Sequence, residues 1–199
     1  MRIAPWICVA LVMFGVYRWY AHRELDHAPG VLAAEEPLQD ELHAADGIER
    51  DGFRLVPRAE FSATVRVLRR EDYSRGPLAK LVPTDFAVGW GPMSDSKVLS
   101  DIEISQGNRF YYWHTENWPI ERRDIETHSA NWHVIPDNDE VRAALARLRA
   151  GSVVELRGQL VDIEGGEGGM RTSLRRDDTG AGACEILLAS SARLLDADR

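Results

Sequence analysis

The chain has 199 residues, 44% of them hydrophobic and 28% charged, with a formal net charge of −8 and a pI of about 5.3. That length suits one ordinary domain with an appendage, and the acidic balance argues against nucleic acid as a partner, since a basic patch would be needed. The two cysteines, Cys8 and Cys184, lie in an N-terminal apolar run and near the other end, so no disulfide within the domain is expected.

Residues 3–17 are apolar and uncharged, followed by Arg18, Trp19 and Tyr20. Such a run crosses most of a bilayer core as a helix, with the aromatic pair in the interface belt. No small-x-small cleavage site follows it. Residues 1–21 are therefore expected to be a single-pass inner-membrane anchor, and the membrane a partner through it. Arg2 on one flank is matched by Arg18 and Arg23 on the other, but a short anchor ahead of a large domain commonly exports it, so the domain is expected in the periplasm. Residues 22–57 are rich in Ala, Glu, Asp and Pro without a sustained apolar face, which predicts a flexible acidic tether.

The globular domain is expected over residues 58–195, with a tail at 196–199. Phe61, Ala63, Val65 and Val67 alternate with polar residues and predict the first strand. Residues 71–83 read as a loop. Phe86, Val88 and Trp90 predict a short strand ended by Gly91-Pro92. Ser94 or Asp95 is placed to cap a helix presenting Val98, Leu99 and Ile102. Residues 109–115 predict an aromatic strand, 117–124 a loop and 132–135 a short strand. Asp137 and Glu140 have capping-box spacing ahead of Val141, Ala144, Leu145 and Leu148, and Gly151 stops that helix. Residues 153–163 predict a long strand in which Gly158 marks a bend or a close neighbour. A loop at 165–169 leads to a returning strand at 170–174, and 184–189 predict the last strand. The expected class is α+β, mostly β: a small curled sheet or partly open OB-like β-barrel with one or two helices, preceded by a transmembrane helix.

The pieces AEFSATVRVLRREDYS, DFAVGWGPMSD, RFYYW, HSANWHVIP, LRAGSVVELRGQLV and DDTGAGACEI resemble those of a family of uncharacterised bacterial proteins with an N-terminal membrane segment. The resemblance spans about residues 55–188. It implies a bacterial membrane protein and carries over no activity, cofactor or catalytic residue.

Residues 85–136 hold Trp90, Trp113, Trp118 and Trp132, half of all the aromatic side chains, together with His114, His128 and His133. Trp90, Tyr111, Trp113, Trp118 and Trp132 either pack as core or stack on sugars or bases. His128 and His133 are five apart, so only a curved loop would let them share a metal, with Asp177, Asp178 or Cys184 completing the set. Asp178-Thr179-Gly180 spells the loop of an aspartic peptidase, but no second copy exists and Arg175, Arg176 and Asp177 precede it. The Gly165–Gly169 run lacks the Lys-Ser/Thr of a phosphate loop. Cys184, at the head of an apolar strand, reads as a buried thiol.

The expected function is a non-catalytic binding or interaction module of the bacterial cell envelope, with no cofactor implied and an envelope protein or small ligand as partner. Trp113, His128, Ser129, Asn131, His133, Asp177 and Asp178 are its candidate binding residues; His128, Ser129, Asn131 and His133 belong to a polar HSANWH loop that Asp177 and Asp178 are expected to approach. The alternatives are an envelope hydrolase, metal-dependent through His128 and His133, and a scaffold subunit of a membrane assembly.

Overall fold

A computed structural model describes residues 13, 15, 23–43, 45–166 and 169–195. Strand accounts for 43% and helix for 14%, so the domain is mostly β. Its strands are β1 (Leu38–Glu41), β2 (Ile48–Arg50), β3 (Phe53–Asp72), β4 (Thr84–Gly89), β5 (Glu103–Gly107), β6 (Phe110–His114), β7 (Ser129–Pro136), β8 (Val153–Glu164) and β9 (Glu185–Leu194). Three short helices intervene: α1 (Ser96–Leu99), α2 (Arg122–Thr127) and α3 (Asp139–Ala146).

One curled sheet runs β1-β3-β4-β7-β9-β8, with β2 and β8 also pairing with β3, and β5-β6 forms a separate hairpin. All pairings are antiparallel except β7 with β9. At twenty residues β3 is long enough to pair with β4 near its C-terminal end and with β8 over Arg54 to Arg66.

A bulge makes this double pairing work. The register of β3 against β8 shifts between Pro57 and Ala59, and one extra residue turns every following side chain to the other face. Phe53 and Leu55 accordingly lie in an outer cluster with Val161, Ile163, Ile186 and Leu188, whereas Phe61, Ala63, Val65 and Val67 enter the inner core. There they meet Phe86, Val88, Trp132, Val134 and Leu187, with Val141 and Leu145 of α3. A second register shift, between Val67 and Arg69, puts Leu68 in a third cluster under the hairpin, with Ala87, Met93, Ile102 and Ile125. Gly158 has the close neighbour its sequence position suggests: a Cβ there would stand 2.0 Å from the carbonyl oxygen of Leu188.

Several expectations need correction. Residues 23–57 are not a tether but part of the domain: they carry β1, β2 and the first residues of β3. Leu25 N–H donates to Ala150 O, Gly91 N–H donates to Ala33 O, and Ala33 is buried. A polar segment can be ordered this way because an edge strand takes its stability from backbone pairing as well as from an apolar face. The HSANWH residues are not a loop: all but His128 belong to β7, paired with β4 over Ser129 to Val134 and with β9 from Trp132 onward. Residues 103–107, unassigned in the sequence reading, are β5, and the supposed loop 117–124 contains the start of α2. The returning strand at 170–174 reduces to one bridge, Ile163 with Met170. Asn138, not Asp137, caps α3, accepting from Val141 N–H. The membrane anchor expected at 1–21 lies, apart from Met13 and Gly15, outside the described residues, as does the tail at 196–199. Among the described residues no helix is long and apolar enough to cross a membrane.

Candidate functional site

The register of β4 against β7 sets Asp85 opposite His133, Ala87 opposite Asn131 and Gly89 opposite Ser129. Phe86 and Trp132 face the inner core, so alternation sends Asp85, Ser129, Asn131 and His133 to the outer face. The β5-β6 hairpin covers that face. Its two turn residues, Asn108 and Arg109, have φ of 54° and 69°, the left-handed pair of a type I′ turn, in which the second position ordinarily suits glycine. Arg109 is held there by its contacts. Its Nη1 donates to Asp85 Oδ1 at 2.8 Å and its Nη2 to Val82 O at 3.0 Å. Its backbone N–H donates to Tyr73 Oη, and the guanidinium carbon lies 3.6 Å from the Tyr73 ring centroid.

Two further hydrogen-bonded sets fasten the hairpin to β7. Gln106 Nε2 donates to Asn131 Oδ1 at 2.7 Å, and Asn131 Nδ2 donates to Arg109 O at 3.2 Å. Ser129 Oγ spends its one proton on Ile125 O at 2.6 Å. Tyr111 must therefore be the donor in its 2.8 Å bond to Ser129 Oγ, and burial pushes its phenol up to about 12, keeping that proton in place.

His133 is 1% exposed and its Nδ1 stands 2.9 Å from Asp85 Oδ1, but the ring is not oriented for a hydrogen bond, and neither ring nitrogen has one. His128 lies elsewhere, at the C-terminal end of α2. Its Nδ1 faces Asp124 O at 2.9 Å and so carries a proton, while its Nε2 is 3.3 Å from Glu36 Oε1. The two histidines thus have separate environments. Among the described residues no three His, Cys, Asp or Glu side chains converge to hold a metal, which leaves the metal-dependent alternative without its ligand set.

A cleft of about 560 Å³ opens between the hairpin, the start of β7 and the loop that precedes β9. Of the candidate residues, Trp113, Ser129, Asn131 and Asp178 line it; His128, His133 and Asp177 do not. Asp177 points into solvent beside Arg175, which holds its carboxyl below the usual range. Asp178 accepts from Ser173 Oγ at 2.7 Å, which ties down the loop. The aromatic wall comprises Tyr111, Trp113 and the exposed Phe110, Tyr112 and Trp118, with Trp113 and Trp118 edge to face at 5.9 Å.

Glu185 was not among the sequence candidates, although a charged residue heading a strand of Ile, Leu and Ala is a visible anomaly. It follows the inner-face alternation of Leu187 and Ala189 and is paired in register with Trp132. Only 2% exposed, it accepts from Arg176 Nη1 at 2.7 Å through Oε1, while Oε2 has no hydrogen-bond partner. Burial outweighs the attraction of Arg176 and pushes its carboxyl up to about 8. Burial likewise pushes the Cys184 thiol up to about 11, so it stays protonated and a poor nucleophile. The cleft thus combines aromatic side chains, paired charges and the buried polar residues Ser129, Asn131 and Glu185 in one lining. Comparison with family models, with curated proteins and with solved structures finds no match to this chain.

Proposed function

We propose that the chain is a non-catalytic binding module of the bacterial cell envelope, held at the inner membrane by its N-terminal segment with the domain on the periplasmic side, and that the cleft is its recognition surface. The observation that carries this reading is the position of the cleft within the strand order. The sequence of pairings β3-β4-β7-β9-β8 and back to β3, with α3 between the third and fourth of these strands, supports a partly open OB-like barrel. Folds of that kind bind ligands on the second and third strands, flanked by the loops after the first and fourth. Here those elements are β4, β7 and the loops at 73–83 and 165–184, and the cleft lies against β7 and the second of these loops. The exposed aromatic wall at that place supports the reading independently of the fold.

Hydrogen exchange of the full chain, with and without a solubilised envelope fraction, tests the site. Protection is expected in 110–118 and 175–185, and protection confined to other segments overturns the reading. Turnover of an ester, phosphodiester or peptidoglycan substrate by the purified chain, abolished in His133→Ala, would establish an enzyme instead. A reporter fused to the C-terminus reads the side of the membrane.

A further inference from the structure

We propose that the cleft takes an uncharged, polyhydroxylated ligand, the sugar units of a neutral glycan, with one hydroxyl docked on Glu185 Oε2 and a sugar face against Trp118. This rests on the cleft being the recognition surface and names what it recognises.

Charge is the first argument. Three arginines line the cleft, and each is already engaged: Arg122 with Glu126 at 2.7 Å, Arg175 with Asp177, and Arg176 with both Glu185 and Gln39. A phosphate or carboxylate would have to displace one of these hydrogen-bonding partners and would also meet Asp178. A cationic ligand would meet the three guanidinium groups. Guanidinium groups that are already hydrogen-bonded, standing beside the Asp178 carboxylate, favour a neutral occupant over an ion of either sign.

The aromatic wall is the second. Tyr112 and Trp118 are 54% and 55% exposed and Phe110 is 38% exposed, so flat apolar faces stand in water beside a polar floor. The C–H faces of a sugar ring are apolar and its rim is hydroxylated, which matches this division.

The floor is the third argument. Glu185 lines the cleft; Arg176 occupies its Oε1, and its Oε2 is buried without a hydrogen-bond partner. With the carboxyl pushed up to about 8, Oε2 carries the proton at neutral pH and is an O–H donor. A hydroxyl oxygen accepts from it at no cost in charge. The volume of about 560 Å³ falls within the roughly 300–1,000 Å³ of small-ligand sites.

The experiment titrates the full chain with cellotetraose, maltotetraose and chitotetraose in its N-acetylated form, and separately with oligothymidylate, following intrinsic tryptophan fluorescence. At least one tetrasaccharide is expected to saturate the signal, with an affinity that changes less than about twofold between low and high salt. Trp118→Ala should weaken it about tenfold or more, and so should Glu185→Met, which deletes the donor. Glu185→Gln, whose amide restores an N–H at Oε2, should bind within about threefold of the parent. Trp118→Ala changes an exposed side chain and keeps the test valid if Glu185→Met fails to fold. Binding of oligothymidylate alone, steeply salt-dependent and lost in Trp118→Ala, would overturn the glycan while leaving the cleft as the recognition surface. Saccharide binding that ignores both Trp118→Ala and Glu185→Met would place the sugar elsewhere and overturn both readings. No response to any of the three saccharides at about 10 mM would overturn the glycan proposal.

Discussion

Single residues decide how this site behaves, and Glu185 has the largest consequence. Its carboxyl ordinarily titrates near 4.5, but burial raises it to about 8 in the folded chain despite the Arg176 guanidinium 2.7 Å away. Between those values the unfolded chain has lost the proton that the folded chain keeps, so stability falls as pH rises through that window. The slope is at most about 1.4 kcal/mol per pH unit. Denaturant unfolding at several pH values between about 5 and 8 should show that decline, and Glu185→Gln, which cannot ionise, should flatten it. An unchanged slope in the variant would assign the titration to another group. Part of this residue's role was legible beforehand, since a glutamate at the head of an apolar strand calls for a partner. That the partner is Arg176, from a polar turn nine residues earlier, depends on how the loop folds back.

At the scale of elements the β5-β6 hairpin shows how a turn can be stable with an unsuitable residue in it. Local propensity asks for glycine at the position of Arg109, whose φ is 69°. The tertiary contacts ask for arginine, because Asp85 is fully buried and its Oδ1 takes the guanidinium at 2.8 Å. The two requirements differ in size: relief of left-handed strain is worth about 1 kcal/mol, whereas removing one partner of a buried ion pair costs about 3–5 kcal/mol. Arg109→Gly should therefore destabilise the protein by about 2–4 kcal/mol in denaturant unfolding. A neutral or stabilising effect would mean that turn strain outweighs the pair. The strands and helix with clear periodicity, such as β3, β8 and α3, were legible because burial of one face writes itself into the sequence at period 2 or 3.6. β5 was not, because its residues are only half-buried and its order comes from pairing with β6. The polarity of β7 misled for a related reason: Ser129, Asn131 and His133 are polar yet buried, each placed under the hairpin.

On the scale of the whole molecule, residues 23–43 are fastened to the domain at several separated points. Leu25 meets Ala150, His27 Nε2 lies 2.8 Å from Gly151 O, Ser94 Oγ accepts from Leu32 and Ala33 N–H, and β1 lies along β3. Removing residues 1–43 should lower the melting temperature by at least about 5 °C and broaden the transition, as followed by circular dichroism; an unchanged melt would restore the tether. Composition misled here because it reports how much apolar surface a segment can bury, and this segment is held chiefly by hydrogen bonds to its neighbours. The sequence by itself determined a mostly β domain, the period of its main strands, the capped helix and the unusual density of aromatics at 85–136. Those features are local, set by which side chains face water at each step along one element. Only the tertiary structure decided that Trp113, Ser129, Asn131 and Asp178 share a cleft with Arg176 and Glu185, while His128 and His133 part company. A bulge that switches faces, a register that matches Asp85 to His133 and a loop that returns over β7 are relations between distant segments, and no local period records them.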